Sequence, residues 1–179
     1  DGATIVDGAI NGPTTSVVGG AYINNFNGTA ATTLFDISAA TNTLYTQNPP
    51  NNGTLVAVGP LGITIQSVNG FDFSSADGTA YASLTAGETT SLYNTATGAA
   101  TLVGAIGSGT TGSRGLAAEI GSTPGLTGVG LTTANQLVTF NALRPSVIQT
   151  TVSITGLQAA ENILGIDFRP ANGLLYGLG

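Results

Sequence analysis

This sequence predicts an all-β fold, a propeller-like array of four-stranded antiparallel blades left open or incomplete within one chain, and three observations carry that reading. One phrase is written twice. "NGFDFSSADGTAYASL" (69–84) and "LGIDFRPANGLLYGLG" (164–179) both read Gly-apolar-Asp-Phe, then a polar turn closed by Asp77-Gly78 or Asn172-Gly173, then an apolar run around a tyrosine. Short runs rich in Val, Ile, Leu, Thr, Tyr and Phe recur along the whole chain, separated by Asn-Gly at 11, 27, 52, 69 and 172 and Asp-Gly at 1, 7 and 77. Such runs make half-buried strands, and such dipeptides tolerate the positive φ of tight hairpin turns. Grouped by the repeated phrase, the runs form units of roughly 45 residues, the period of a propeller blade. A β-solenoid or an irregular sandwich fits that period less well.

The elements follow in order. Residues 1–10, "DGATIVDGAI", read as a lone outer strand with Ile5, Val6 and Ile10 as its apolar positions. A first blade over 17–61 takes strands at 17–23, 32–37, 42–47 and 54–58. The second, 67–107, takes 70–73, 79–84, 91–94 and 99–103; the third, 114–157, takes 115–118, 128–131, 136–140 and 147–154. A half blade over 163–179 holds strands at 164–168 and 174–178. Residues 157–162 are the best helical candidate and read as a turn. The first strand of a blade lies near the central channel and is small and apolar, a slot that "GGAYI", "GFDF", "GLAA" and "GIDF" fit. Asp72 and Asp167 occupy equivalent places there and are expected to anchor turns by accepting backbone N–H bonds.

Composition removes most chemistry. The chain has 179 residues, enough for one domain with a core, and 41% of them are hydrophobic but only 7% charged. Thr, Ser, Asn and Gly fill the polar positions, the profile of a secreted, extracellular or cell-surface protein. The net charge is −6 and the cations are Arg114, Arg144 and Arg169 alone. That excludes nucleic acid, whose binding needs several cations to displace phosphate counterions, and a polybasic membrane contact. Membrane insertion by a helix is excluded too, because no stretch approaches the ~20 apolar residues required.

An enzyme is not expected. Without His, Cys or Lys there is no Ser-His-Asp arrangement, no zinc site of the usual ligands, no Ser-Lys dyad and no Schiff base. Asp72 and Asp167 are a conceivable carboxylate pair for glycoside hydrolysis, but their repeat equivalence favours a structural role. The glycines of 104–115 lack the Gly-Lys-Ser/Thr of a phosphate loop and read as a connection between blades. No cofactor is expected. Calcium is the ion best matched to the oxygen ligands available, Asp7, Asp36, Asp72 and Asp77 among them, though no Asp-x-Asp-x-Asp spacing appears. Asn27 and Asn52 open N-glycosylation sequons that are also plain hairpin turns. The tyrosines and phenylalanines fit a core better than a sugar-stacking groove.

Three segments carry a family resemblance: "YTQNPPNNGTLVAVGPLG" (45–62), "TATGAATLVGAIG" (95–107) and "ILGIDFRPANGLLYGLG" (163–179). The chain resembles a secreted bacterial domain-of-unknown-function family that is believed to form a β-propeller and has no established activity. The resemblance implies a propeller and supplies no catalytic residue. Residues up to about 119 resemble the family's C-terminal part, and 126–179 its beginning, so the chain spans a junction of tandem copies, is circularly permuted, or is a piece of something longer.

The leading expectation is a non-catalytic extracellular structural protein that self-assembles into a filament or sheath. Its homo-oligomer would form by strand complementation between exposed terminal edges, Ile5, Val6 and Ile10 on one side and Leu174, Leu175 and Tyr176 on the other. The alternative is a secreted β-propeller binding module for carbohydrate or protein.

Overall fold

The computed structural model describes residues 6–95, 97–119 and 127–179. Among them are fourteen strands, one short 3-10 turn at Pro50–Asn52 and no α-helix. The first sheet holds β1 (Gly19–Ile23), β2 (Thr33–Ser38), β3 (Thr43–Gln47) and β4 (Leu55–Pro60). The second holds β5 (Ser67–Phe73), β6 (Ala80–Ala86), β7 (Thr89–Asn94) and β8 (Thr101–Ala105). A third holds β9 (Ser113–Ala118), β10 (Thr127–Thr132), β11 (Gln136–Asn141) and β12 (Arg144–Ser153), and a fourth β13 (Gly165–Arg169) and β14 (Leu174–Leu178). Every sheet is an antiparallel meander in chain order, and no strand of the fourth pairs with one of the first among the described residues.

The repeated phrase folds as one hairpin twice. Asp72 stands opposite Tyr81 in β5–β6, and Asp167 opposite Tyr176 in β13–β14. Gly78 N–H donates to Ser74 O at 2.9 Å, and Gly173 N–H to Arg169 O at 2.9 Å. Each turn is locked by the residue before its glycine: Asp77 Oδ1 accepts from Thr79 N–H at 3.0 Å, and Asn172 Oδ1 from Leu174 N–H at 3.1 Å. Gly78 and Gly173 have φ of 71° and 66°, a left-handed conformation that costs glycine nothing.

The core lies between successive sheets. Ile37 and Leu44 of the first, with Leu61 just after β4, pack with Phe71, Phe73 and Leu84 of the second, and the Phe35 and Phe73 rings stand 5.1 Å apart. Tyr81 and Leu92 of the second pack on Leu116 and Phe140 of the third. The first strands touch in sequence, β1 with β5, β5 with β9 and β9 with β13. Glycine permits that approach. A Cβ on Gly19 would lie 2.7 Å from Val68 Cγ1, one on Gly70 only 2.2 Å from the Leu116 nitrogen, and one on Gly115 3.0 Å from Ile166 Cγ1.

The structure departs from expectation at the start of the chain. Ile5 lies outside the described residues, and 6–10 form no strand. They follow the 51–54 turn instead: Gly8 N–H donates to Asn51 O, Asn11 N–H to Gly53 O, and Leu55 N–H to Asn11 O. The only ladder contact there is an isolated parallel bridge between Asn11 and Thr54. Val6 is almost fully exposed, and Ile10 is half-buried. At the other end Leu174 and Tyr176 are exposed and Leu175 half-buried. No helix among the described residues is long and apolar enough to cross a membrane.

Candidate functional site

Asp72 is placed at the end of β5 by the alternation of its strand, between Phe71 and Phe73, which point into the core. Its Oδ1 accepts the Phe73 N–H at 2.8 Å and the Asn25 Nδ2 at 3.3 Å; its Oδ2 accepts the Ala118 N–H of β9 at 2.7 Å. The carboxylate therefore joins the second sheet to the third. Within the turns themselves the bonds to the closing residues come from Asp77 and Asn172. Burial pushes the Asp72 carboxyl up to about 7, with the neighbouring Asp167 charge adding to the rise and the Ala118 and Phe73 N–H bonds opposing it. Asp167, its counterpart on β13, accepts the Phe168 N–H in the same way, and partial desolvation raises its carboxyl.

A third carboxylate joins them. Asp36 sits on β2, opposite Gly20 on one side and Tyr45 on the other. It is only 5% exposed, and its Oδ2 has no hydrogen-bond partner among the described residues. Burial pushes its carboxyl up to about 6. Its Oδ1 lies against Gly20, where a Cβ would come within 3.0 Å. Glycine at that position keeps the approach to the carboxylate open.

Asp36, Asp72 and Asp167 line one cavity of about 820 Å³, bounded by β1, β2, β5, β13 and the 24–32 loop. Asn25 lines it too, and its Oδ1 is a second buried acceptor without a partner among the described residues. Tyr22, Phe26 and Phe71 supply aromatic surface. No arginine is on the lining. Several of its side-chain donors are already engaged: Asn25 Nδ2 with Asp72 and the Phe73 carbonyl, Asn24 Nδ2 and Thr29 Oγ1 both with Ala31 O. The lining holds three carboxylates, and the Tyr22 and Thr32 hydroxyls stand on it too.

The carboxylates suggested as calcium ligands do not come together as a set, since Asp7 and Asp77 lie off this lining. No group of three or more His, Cys, Asp or Glu side chains that could hold a metal ion occurs among the described residues. Sequence reasoning singled out Asp72 and Asp167 and passed over Asp36 as a site residue. The available signal was a spacing: "FDISAATNTLY", "FDFSSADGTAY" and "IDFRPANGLLY" each place a tyrosine nine residues after the aspartate. In all three that tyrosine is the cross-strand partner.

A search of the curated proteins finds no match to the chain. A family model does match it, over residues 1–117 and 136–179, which is most of its length. The chain belongs to the family described as Domain of unknown function (DUF4394).

Proposed function

We propose that this chain is a non-catalytic, extracellular binding module of propeller-like build, and that the acidic cavity holds its ligand. The ordered contacts of β1, β5, β9 and β13 support successive blades around an axis, with the cavity among their first strands. Pockets between such elements are where small polar ligands are taken up. The low-charge surface of hydroxyls and amides supports an exported protein.

One observation carries the reading: Asp36 Oδ2 is buried, faces no donor among the described residues, and belongs to a residue that lines the cavity. A buried carboxylate without donors weakens a fold by a few kcal/mol, so its presence points to a partner that arrives later. Thermal unfolding of the intact chain with neutral oligosaccharides, amines and short peptides tests this. One class should raise the melting temperature of the wild type and leave Asp36→Asn unmoved. If no class moves the wild type, the binding reading fails.

Self-assembly through strand edges is the second reading. Leu174, Tyr176 and Leu178 stand exposed along β14, whose outer edge pairs with nothing among the described residues. Light scattering decides it: Leu174→Asp combined with Leu178→Asp should shrink the particles if copies pair there. A monomeric wild type at high concentration would remove this reading.

A further inference from the structure

We infer that the ligand of the acidic cavity is a small organic cation carrying two or more ammonium or guanidinium groups, held by Asp36, Asp72 and Asp167. The inference rests on the binding reading above and gives its ligand a chemical class.

Hydrogen-bond supply and demand point first to a donor. The unmet groups are acceptors, Asp36 Oδ2 and Asn25 Oδ1, while Asn24, Asn25 and Thr29 have committed their donors internally. Ammonium and guanidinium groups bring donors only.

Charge points the same way. Three carboxylates share the cavity, and among the described residues no arginine stands on its lining. Arg114 donates to the carbonyls of Ile163 and Thr133, the Arg169 guanidinium lies 6.0 Å from the Tyr176 ring centre, and Arg144 begins β12 in the third sheet. An ion pair to an incoming cation would stabilise the ionised form of each carboxyl.

Size favours a molecule over a bare ion. The cavity of about 820 Å³ is molecular in scale, and no group of three or more acidic side chains that could hold a metal ion occurs among the described residues. Two cationic groups on one short chain can reach separate carboxylates. Tyr22, Phe26 and Phe71 offer faces for the methylene stem and for cation–π contact.

Calorimetric titration of the intact chain at low salt tests the class, with spermidine and agmatine as probes and cellobiose and calcium chloride as controls. Spermidine or agmatine should bind at pH 7.5, more weakly in high salt. Affinity should fall by about tenfold per pH unit for each carboxyl whose value the medium drops below, first Asp72 at about 7 and then Asp36 at about 6. The groups facing Asp36 are Asp72 on β5, Asp167 on β13, Tyr22 on β1 and Tyr45 on β3. Asp36→Asn should abolish binding, and Asp167→Asn, which keeps the shape of an exposed side chain on β13, should weaken it. Binding of cellobiose with no pH dependence would overturn the cation class and leave the binding reading standing. Binding of calcium alone would do the same. If none of the four probes binds, the cation class fails, while the wider thermal panel still judges the binding reading.

Discussion

At the scale of single residues, two buried aspartates in one cavity have opposite consequences for stability. Asp36 accepts no bond at Oδ2 and is desolvated. Replacing it with the near-isosteric asparagine removes a buried charge, and Asp36→Asn should stabilise the unliganded protein by about 1–3 kcal/mol at pH 8, with the gain gone near pH 4. Asp72 is buried as deeply but accepts from Ala118, Phe73 and Asn25. Asp72→Ala strands those donors and should cost about 1–3 kcal/mol. Urea unfolding of both variants beside the exposed control Glu88→Ala measures the contrast; equal midpoints for Asp72→Ala and the control would show that the bridge between sheets contributes nothing. Asp72 was legible in the sequence because its phrase is doubled. Asp36 escaped because it stands on the second strand of its sheet, so the slot assigned to first strands passed over it.

Hairpins were the most legible elements, since alternation and Asn-Gly or Asp-Gly corners are local signals that carry their own geometry. The start of the chain misled for the converse reason. "DGATIVDGAI" alternates as a strand does, yet residues 6–10 find their backbone partners on a turn, and alternation says nothing about which ladder is free. The first-strand glycines lie between these cases: visible as a pattern, with a purpose that only packing reveals. Gly70 and Gly165 are equivalent in the repeat, but a Cβ on Gly70 would strike the backbone of Leu116 while one on Gly165 meets nothing within 4 Å. Gly70→Ala should therefore force β5 and β9 apart and cost about 3 kcal/mol or more, as overpacking against backbone does. Gly165→Ala should change stability by less than about 0.5 kcal/mol. Comparable losses in the two variants, read from melting temperatures, would mean that the approach of β9 to β5 does not depend on Gly70.

For the whole molecule, the raised carboxyls of Asp36, Asp72 and Asp167 fix how stability changes with pH. Each binds its proton more tightly in the folded state than in the unfolded chain, where aspartate titrates near 3.9. Their contribution is therefore fully present below about pH 4 and is lost as pH rises through the folded values, about 6 for Asp36 and about 7 for Asp72. Asp77 runs the other way: bonds from Thr79 and Ser74 outweigh its slight burial and lower its carboxyl, but it is largely exposed and its effect is minor. The urea midpoint should be highest near pH 4–5 and decline toward pH 8, opposite to ordinary acid denaturation. A midpoint that rises over that interval would mean the carboxylates are stabilised in the fold by something other than protons. The cavity that couples them was not legible in the sequence, because residues 25, 36, 72 and 167 meet only once three sheets and a loop are assembled. That same meeting links the pH curve to the ligand. A bound cation and a bound proton relieve the same desolvated charge, so saturating spermidine should flatten the decline between pH 5 and 8, and in Asp36→Asn the curve should be shallower without ligand and insensitive to its addition.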